Sequence, residues 1–150
     1  MFALWLVLVA LVTLCIAWAY HTAQRLNRLH IRTDCARLSL QAALDRRAAV
    51  VGALGQDAAS ICAHAEAVPL VPERFDQRAN CERKVSAAIA KWDGDLPAAV
   101  VDAEARVQLA HRFYNDAVAD TRALRVRPLV RLFYLGGTAP LPEFFEFAAM

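Results

Sequence analysis

Cys62, His64 and Glu66 place a thiol, an imidazole and a carboxylate in alternate positions, a donor set that metal sites draw on. Steps of two along a helix turn through about 200°, so these side chains point to opposing faces and do not converge on one ion. His30 and Asp34, four apart, share a face, but no third ligand accompanies them. Neither His-Glu-x-x-His nor the paired Glu-x-x-His of a di-iron bundle is present. Ser39, Ser60 and Ser86 have no Gly-x-Ser-x-Gly context, and the 5 glycines are too scattered to cradle a phosphate. Glu104 and Arg106 could be catalytic, yet a solvated ion pair on a bundle face is the plainer reading. The expectation is a non-enzymatic chain with no catalytic residues, no cofactor and no metal.

HRFYNDAVADT, residues 111–121, raises a different question. Asn and Asp are mediocre helix formers, because their short side chains compete for backbone hydrogen bonds. Asn115 and Asp116 nevertheless stand inside a helical pattern. Val100, Ala103, Val107, Ala110, Tyr114, Ala117, Thr121 and Leu124 alternate steps of three and four, the spacing of helices packed at shallow angles. Tyr114 lies in that seam and Asn115 beside it. The Tyr114 hydroxyl and Asn115 amide are expected to make interhelical hydrogen bonds that hold register, with Asp116 turned to solvent or to a nearby arginine.

The elements around this helix read as follows. Leu26, Leu29, Thr33, Ala36, Leu40 and Ala43 form a stripe that Val50, Leu54, Ile61 and Ala65 continue, so one helix is expected from the amino-terminal region to about residue 66, bending near Gly52. VPLVP, residues 68–72, breaks it. A second helix is predicted over 73–92, with Phe75, Ala79, Val85, Ile89 and Trp92 on one face. WDGDLP, residues 92–97, reads as a turn. After the third helix, Pro128 can open a short fourth over 129–135, closed by Gly136-Gly137. The tail TAPLPEFFEFAAM has no periodicity. Its Phe144, Phe145 and Phe147 require cover, from the bundle, a protein partner or a bilayer surface.

Residues 2–20, FALWLVLVALVTLCIAWAY, contain no charged residue, glycine or proline. Nineteen helical residues reach roughly 28 Å, near the ~30 Å hydrocarbon core of a bilayer. Ten are Leu, Ile, Val or Phe, favouring insertion by about 5 kcal/mol. Trp5, Trp18 and Tyr20 lie near the ends, where amphipathic rings suit the interface. The rival reading, a cleaved signal peptide, has Ala17-Trp18-Ala19 in its favour but lacks a basic residue before an unusually long apolar run. Ala3, Ala10 and Ala17 share one face, where small side chains permit a homo-oligomeric contact.

All 17 Lys and Arg residues follow position 20. Arg25, Arg28, Arg32 and Arg37 lie closest to the apolar run and predict a single-pass cell (inner) membrane protein, amino terminus outside and bundle in the cytoplasm. Anionic headgroups suffice to engage them. A formal net charge of +2 is too mild to imply nucleic acid. Four cysteines without a C-x-x-C pair, one of them within the span, are expected to be reduced thiols.

Residues 25–55 carry Leu26-Asn27-Arg28-Leu29, Asp34-Cys35-Ala36 and Leu44-Asp45-Arg46-Arg47. They resemble the first soluble helix of LemA family proteins. Glu104, Ala110, Arg112-Phe113-Tyr114-Asn115 and Ala117-Val118 resemble the family's second signature, and Pro142-Glu143-Phe144-Phe145-Glu146 its terminal aromatic motif. Gly52 stands where the family usually has proline, and His64-Ala65-Glu66 replaces an adjacent His-Glu pair. The resemblance implies a membrane-anchored antiparallel helical bundle, with Asn27, Arg47, Glu104, Tyr114 and Asn115 as signature positions; it implies no reaction.

The expected fold is therefore all-α: a transmembrane helix over 1–21 continuing into an antiparallel three- to four-helix bundle over 22–135, then a Pro/Phe-rich tail over 136–150. The expected function is an adaptor or scaffold with an unidentified protein partner. The contrasting expectation is an enzyme or small-ligand receptor with a pocket near Tyr114, Asn115 and Glu104. A buried cluster of facing polar side chains around a cavity would favour it, and a dry seam with charges turned outward would favour the scaffold.

Overall fold

The computed structural model describes residues 1–133 and 140–147. The described residues are helical with no strand, and five α-helices follow one another. Helix α1 (Phe2–Leu54) is continuous over 53 residues, about 80 Å at 1.5 Å per residue. Its apolar first part is long and hydrophobic enough to cross a membrane: the most apolar 18-residue window has mean hydropathy 2.6 and 0% burial. No break separates this part from the bundle. The side chains change from uniformly apolar to a stripe, and the backbone does not.

The helix runs through Gly52 without a break and stops at Gly55. At Gly55 the backbone turns extended, its N–H still donating to the Val51 carbonyl at 2.8 Å. A 3-10 turn, Gln56–Ala58, then reverses the chain, and α2 (Ala59–Glu66) folds back on the last turns of α1. Gly52 matters for approach rather than for bending. A Cβ there would meet the Cys62 Cβ at 3.1 Å, so its bare backbone lets the two helices close together. The single helix expected to reach residue 66 is thus two, stacked.

After the proline-flanked segment, α3 (Phe75–Ala90) buries Phe75, Ala79, Val85 and Ile89 of the face expected of it, while Trp92 lies beyond its end, half-buried against the distal core. The WDGD turn uses Gly94 at φ 84, a conformation that other residues adopt only with strain. Helix α4 (Ala98–Arg125) buries Val100, Ala103, Val107, Tyr114, Ala117, Thr121 and Leu124, the seam read from its heptad spacing. Pro128 opens α5 (Pro128–Leu132). The expected helix closure at Gly136-Gly137 lies outside the described residues.

Helices α1 and α4 run antiparallel along the bundle. Leu26 packs on Leu124, Thr33 meets Thr121, and Arg47 meets Glu104. The middle of the core joins Leu40 and Leu44 of α1, Phe75 of α3 and Val107, Tyr114 and Val118 of α4 with Phe145 and Phe147 of the tail. The distal core collects Ala48, Val51, Cys62, Val85 and Val100. Phe145 and Phe147 are therefore interior groups of the bundle, with relative exposures of 1% and 8%, rather than an open partner surface. Phe144 remains half exposed, its ring under the Arg122 guanidinium at 5.4 Å.

Candidate functional site

Three ionised side chains lie wholly out of solvent at the meeting of α1 and α3: Arg47, Arg78 and Glu82. Arg78 and Glu82 are four apart on α3, so their side chains share one helix face. Glu82 Oε1 accepts from Arg78 Nε at 2.6 Å, and Oε2 accepts from Arg47 Nη2 at 2.5 Å. Arg47 Nη1 donates to Glu104 of α4 at 2.6 Å and, at 3.4 Å, to the Ser86 hydroxyl. Arg78 donates from Nη2 to Asp45 of α1 at 2.7 Å and from Nη1 to the Val68 carbonyl at 2.6 Å. The Phe147 ring covers the Arg47 guanidinium, 5.6 Å from ring centroid to carbon. Arg47 Nε is buried and has no hydrogen-bond partner.

The network links all three long helices and the tail. An isolated charge in such a place would cost several kcal/mol, so its members stand or fall together. Both oxygens of Glu82 accept from arginines, and its side chain has no exposed surface. Sequence reasoning singled out Arg47 and Glu104 but not Arg78, Glu82 or Asp45. The available signal was the i,i+4 Arg–Glu spacing beside the buried Phe75-Ala79 face; such spacing is far commoner on solvated surfaces.

Glu104 and Arg106 do not pair with each other. Two positions apart on a helix, they diverge: Glu104 turns inward to Arg47, while Arg106 pairs with Asp102 at 2.8 Å in solvent. That contact lowers the Asp102 carboxyl pKa, the hydrogen bond from Arg106 being the main cause, and raises the Arg106 guanidinium in return.

Tyr114 and Asn115 use their polar groups on the tail, not on α1. The Tyr114 hydroxyl donates to the Glu143 carbonyl at 2.7 Å. Asn115 accepts from the Phe145 N–H at 3.2 Å and donates to the Phe145 carbonyl at 3.3 Å. His111 Nε2 lies 2.6 Å from the same carbonyl, and Arg122 and Arg125 donate to the carbonyls of Pro142 and Pro140. The tail thus climbs antiparallel to α4, its backbone tied at successive turns by one helix flank. An extended segment without a neighbouring strand must find partners for its backbone, and this flank supplies them. Burial pushes the Tyr114 phenol up to about 12. Asp116 is exposed, 4.0 Å from Arg112.

The interhelical register contact expected of Tyr114 and Asn115 is made elsewhere. The Thr33 and Thr121 hydroxyls meet at 3.0 Å between α1 and α4, one donating to the other. Each also lies 2.9 Å from the carbonyl four residues earlier on its own helix, which accepts from the hydroxyl whose proton is not used between the helices. Asn27 is exposed and distant from Asn115 along the antiparallel pair. The basic residues divide. Arg25 and Arg28 are exposed near the apolar segment, Arg32 pairs with Asp120 of α4 at 2.9 Å, and Arg37 donates to the Leu70 carbonyl at 2.9 Å. Seventeen residues beyond Tyr20, Arg37 stands about 25 Å up the helix, out of reach of a headgroup layer.

Cys62 is buried whereas His64 and Glu66 are exposed. Burial, with the nearby Glu66 and Glu82 carboxylates, raises the Cys62 thiol pKa. Among the described residues no three His, Cys, Asp or Glu side chains gather closely enough to hold a metal ion.

Comparison of the chain with protein-family models, with curated proteins and with solved structures returns no match.

Proposed function

We propose that the protein is a non-enzymatic, single-pass membrane protein whose helical bundle serves as an adaptor or scaffold. In this reading residues 2–20 cross the inner membrane, the amino terminus faces outward, and the bundle stands in the cytoplasm as a divergent relative of the LemA family. The observation that carries it is that the polar groups a pocket would need are bonded to one another and to the tail, Arg47 Nε excepted. Glu82, Arg47 and Arg78 bind each other and their neighbours, Tyr114 and Asn115 bind the tail backbone, and Phe147 covers Arg47. The polar cluster is buried and mutually facing, and it is filled with ion pairs and an aromatic ring. Such a core supports rigidity and a single register more than turnover. Helix α1 passes without a break from the apolar segment into the bundle, which therefore stands directly against the bilayer in this reading.

Two experiments test this. Crosslinking in native membranes, followed by identification of captured proteins, is expected to return the same protein partner repeatedly; recovery of uncrosslinked monomer alone would overturn the scaffold. An impermeant maleimide is expected to label exposed Cys35 only after the membrane is permeabilised. Labelling of intact cells at Cys35 would reverse the orientation.

A further inference from the structure

We propose that the cleft between the end of the apolar segment and α5 is a binding site for one anionic phospholipid. The inference rests on the membrane-spanning reading of residues 2–20. The cleft has a volume of about 390 Å³ and is lined by Trp18, His21 and Arg25 of α1 and by Leu124, Arg127 and Leu129 among others. That size is within the usual range for small-ligand sites, roughly 300–1,000 Å³.

Three observations choose the occupant. First, the charged side chains of the lining are Arg25 and Arg127, and no carboxylate contributes to it. Two arginines lining one space suit a phosphate, whose oxygens accept the N–H donors of a guanidinium. Second, the depth is that of a membrane interface. Trp18 is two residues inside the end of the apolar run, about 3 Å along the helix axis, and its ring meets the Phe133 ring edge-on with centroids 6.3 Å apart. Contact with Trp18 brings Phe133, and with it the end of α5, to the level where headgroups meet acyl chains. Third, this end of the bundle is apolar where a soluble surface would not be. Leu129, Leu132 and Phe133 are 51%, 68% and 58% exposed, and Arg127 and Arg131 flank them. Leu124 and Val130 form the wall behind them, packed on Leu26. A soluble anion would use the arginines and leave these residues in water. A phospholipid uses both, its phosphate on Arg25 and Arg127 and its chains against Leu129 and Trp18.

The full chain in nanodiscs tests this with two single-tryptophan reporters. One keeps Trp18 (Trp5→Phe, Trp92→Phe), and the other keeps Trp5 (Trp18→Phe, Trp92→Phe). Each is placed in phosphatidylcholine discs containing the same fraction of brominated phosphatidylglycerol or brominated phosphatidylcholine. Trp18 quenching is expected to report at least about fivefold enrichment of the anionic lipid, the order of effect of one arginine at an anionic surface. Arg25→Gln with Arg127→Gln is expected to bring that ratio to about one without changing helical content. Arg25→Lys with Arg127→Lys is expected to retain most of it. Trp5 is expected to be quenched equally by both lipids. If Trp5 is quenched but Trp18 does not distinguish the lipids, or the double Gln variant still does, the lipid site is overturned and the span stands. If Trp5 is not quenched at all, the membrane-spanning reading itself fails.

Discussion

Arg47 and Glu82 face each other with no exposed side-chain surface on either, 2.5 Å apart and on different helices. Neither residue has water to fall back on. Removing the Glu82 charge leaves Arg47 and Arg78 buried with only the part-exposed Glu104 and Asp45 as counter-charges, and breaking a buried pair costs about 3–5 kcal/mol. Glu82→Gln is therefore expected to lower the midpoint of thermal unfolding sharply. The combined Arg47→Met, Arg78→Leu and Glu82→Leu chain, which removes the buried charges together, is expected to be more stable than the single variant. Circular dichroism melts in one detergent compare them, and a triple variant less stable than Glu82→Gln would contradict this account.

Thr33 and Thr121 are expected to set the register of α1 against α4. Each hydroxyl has its own helix carbonyl as a second partner, so Thr33→Val or Thr121→Val should cost only about 1 kcal/mol. The double substitution should cost less than the two singles added, since the shared contact is lost once. A double-mutant cycle by denaturant unfolding measures the coupling, and strict additivity would show that the hydroxyls do not interact.

Asn115→Ala removes both hydrogen bonds to Phe145 and leaves its N–H without a partner. A loss of about 1–3 kcal/mol is expected, together with faster amide exchange at Phe145 than in the parent chain. Asn115→Asp should be no better: it keeps an acceptor for the N–H but sets a carboxylate against the Phe145 carbonyl. Unchanged exchange in both variants would mean that the phenylalanine rings alone hold the tail.

Tyr114 gives the tail a pH dependence. Its phenol ionises near 10 in the unfolded chain and near 12 in the folded one. The raised value means that the folded state favours the neutral form, so the contribution is intact below pH 10 and is lost as pH rises toward 12. The loss is on the order of 1–3 kcal/mol. Ionisation also removes the proton donated to Glu143, so the tail should loosen in the same interval. Absorbance of tyrosinate and tail exchange followed over that range should move together, and Tyr114→Phe should abolish the coupling.

Cys35 and Cys62 are expected to differ in reactivity. Cys35 is exposed, whereas Cys62 is buried and its thiol pKa raised. In the folded protein a thiol reagent should modify Cys35 promptly and Cys62 only after denaturant is added. Mass spectrometry of the modified peptides distinguishes them.

The seam of α4 and the buried face of α3 could be read in advance because periodicity is local: spacing alone decides which side chains share a helix face. The stop at Gly55 could not, since Gly52 and Gly55 look alike until α2 folds back and Cys62 approaches one of them. The heptad pattern likewise placed Tyr114 in a seam without saying what it would bond.

For this chain, composition and spacing determined the all-helical character, the seam residues and one segment apolar enough for a bilayer, because each depends on residues within a few turns of one another. Tertiary structure alone decided that Arg47, Arg78, Glu82, Glu104 and Asp45 form one network, that threonines rather than Tyr114 and Asn115 join α1 to α4, and that Phe145 and Phe147 are interior. Those outcomes depend on which distant segments meet. Burial then changes what a group can do: a guanidinium or amide that is only hydrophilic in the sequence must find a particular partner once water is gone.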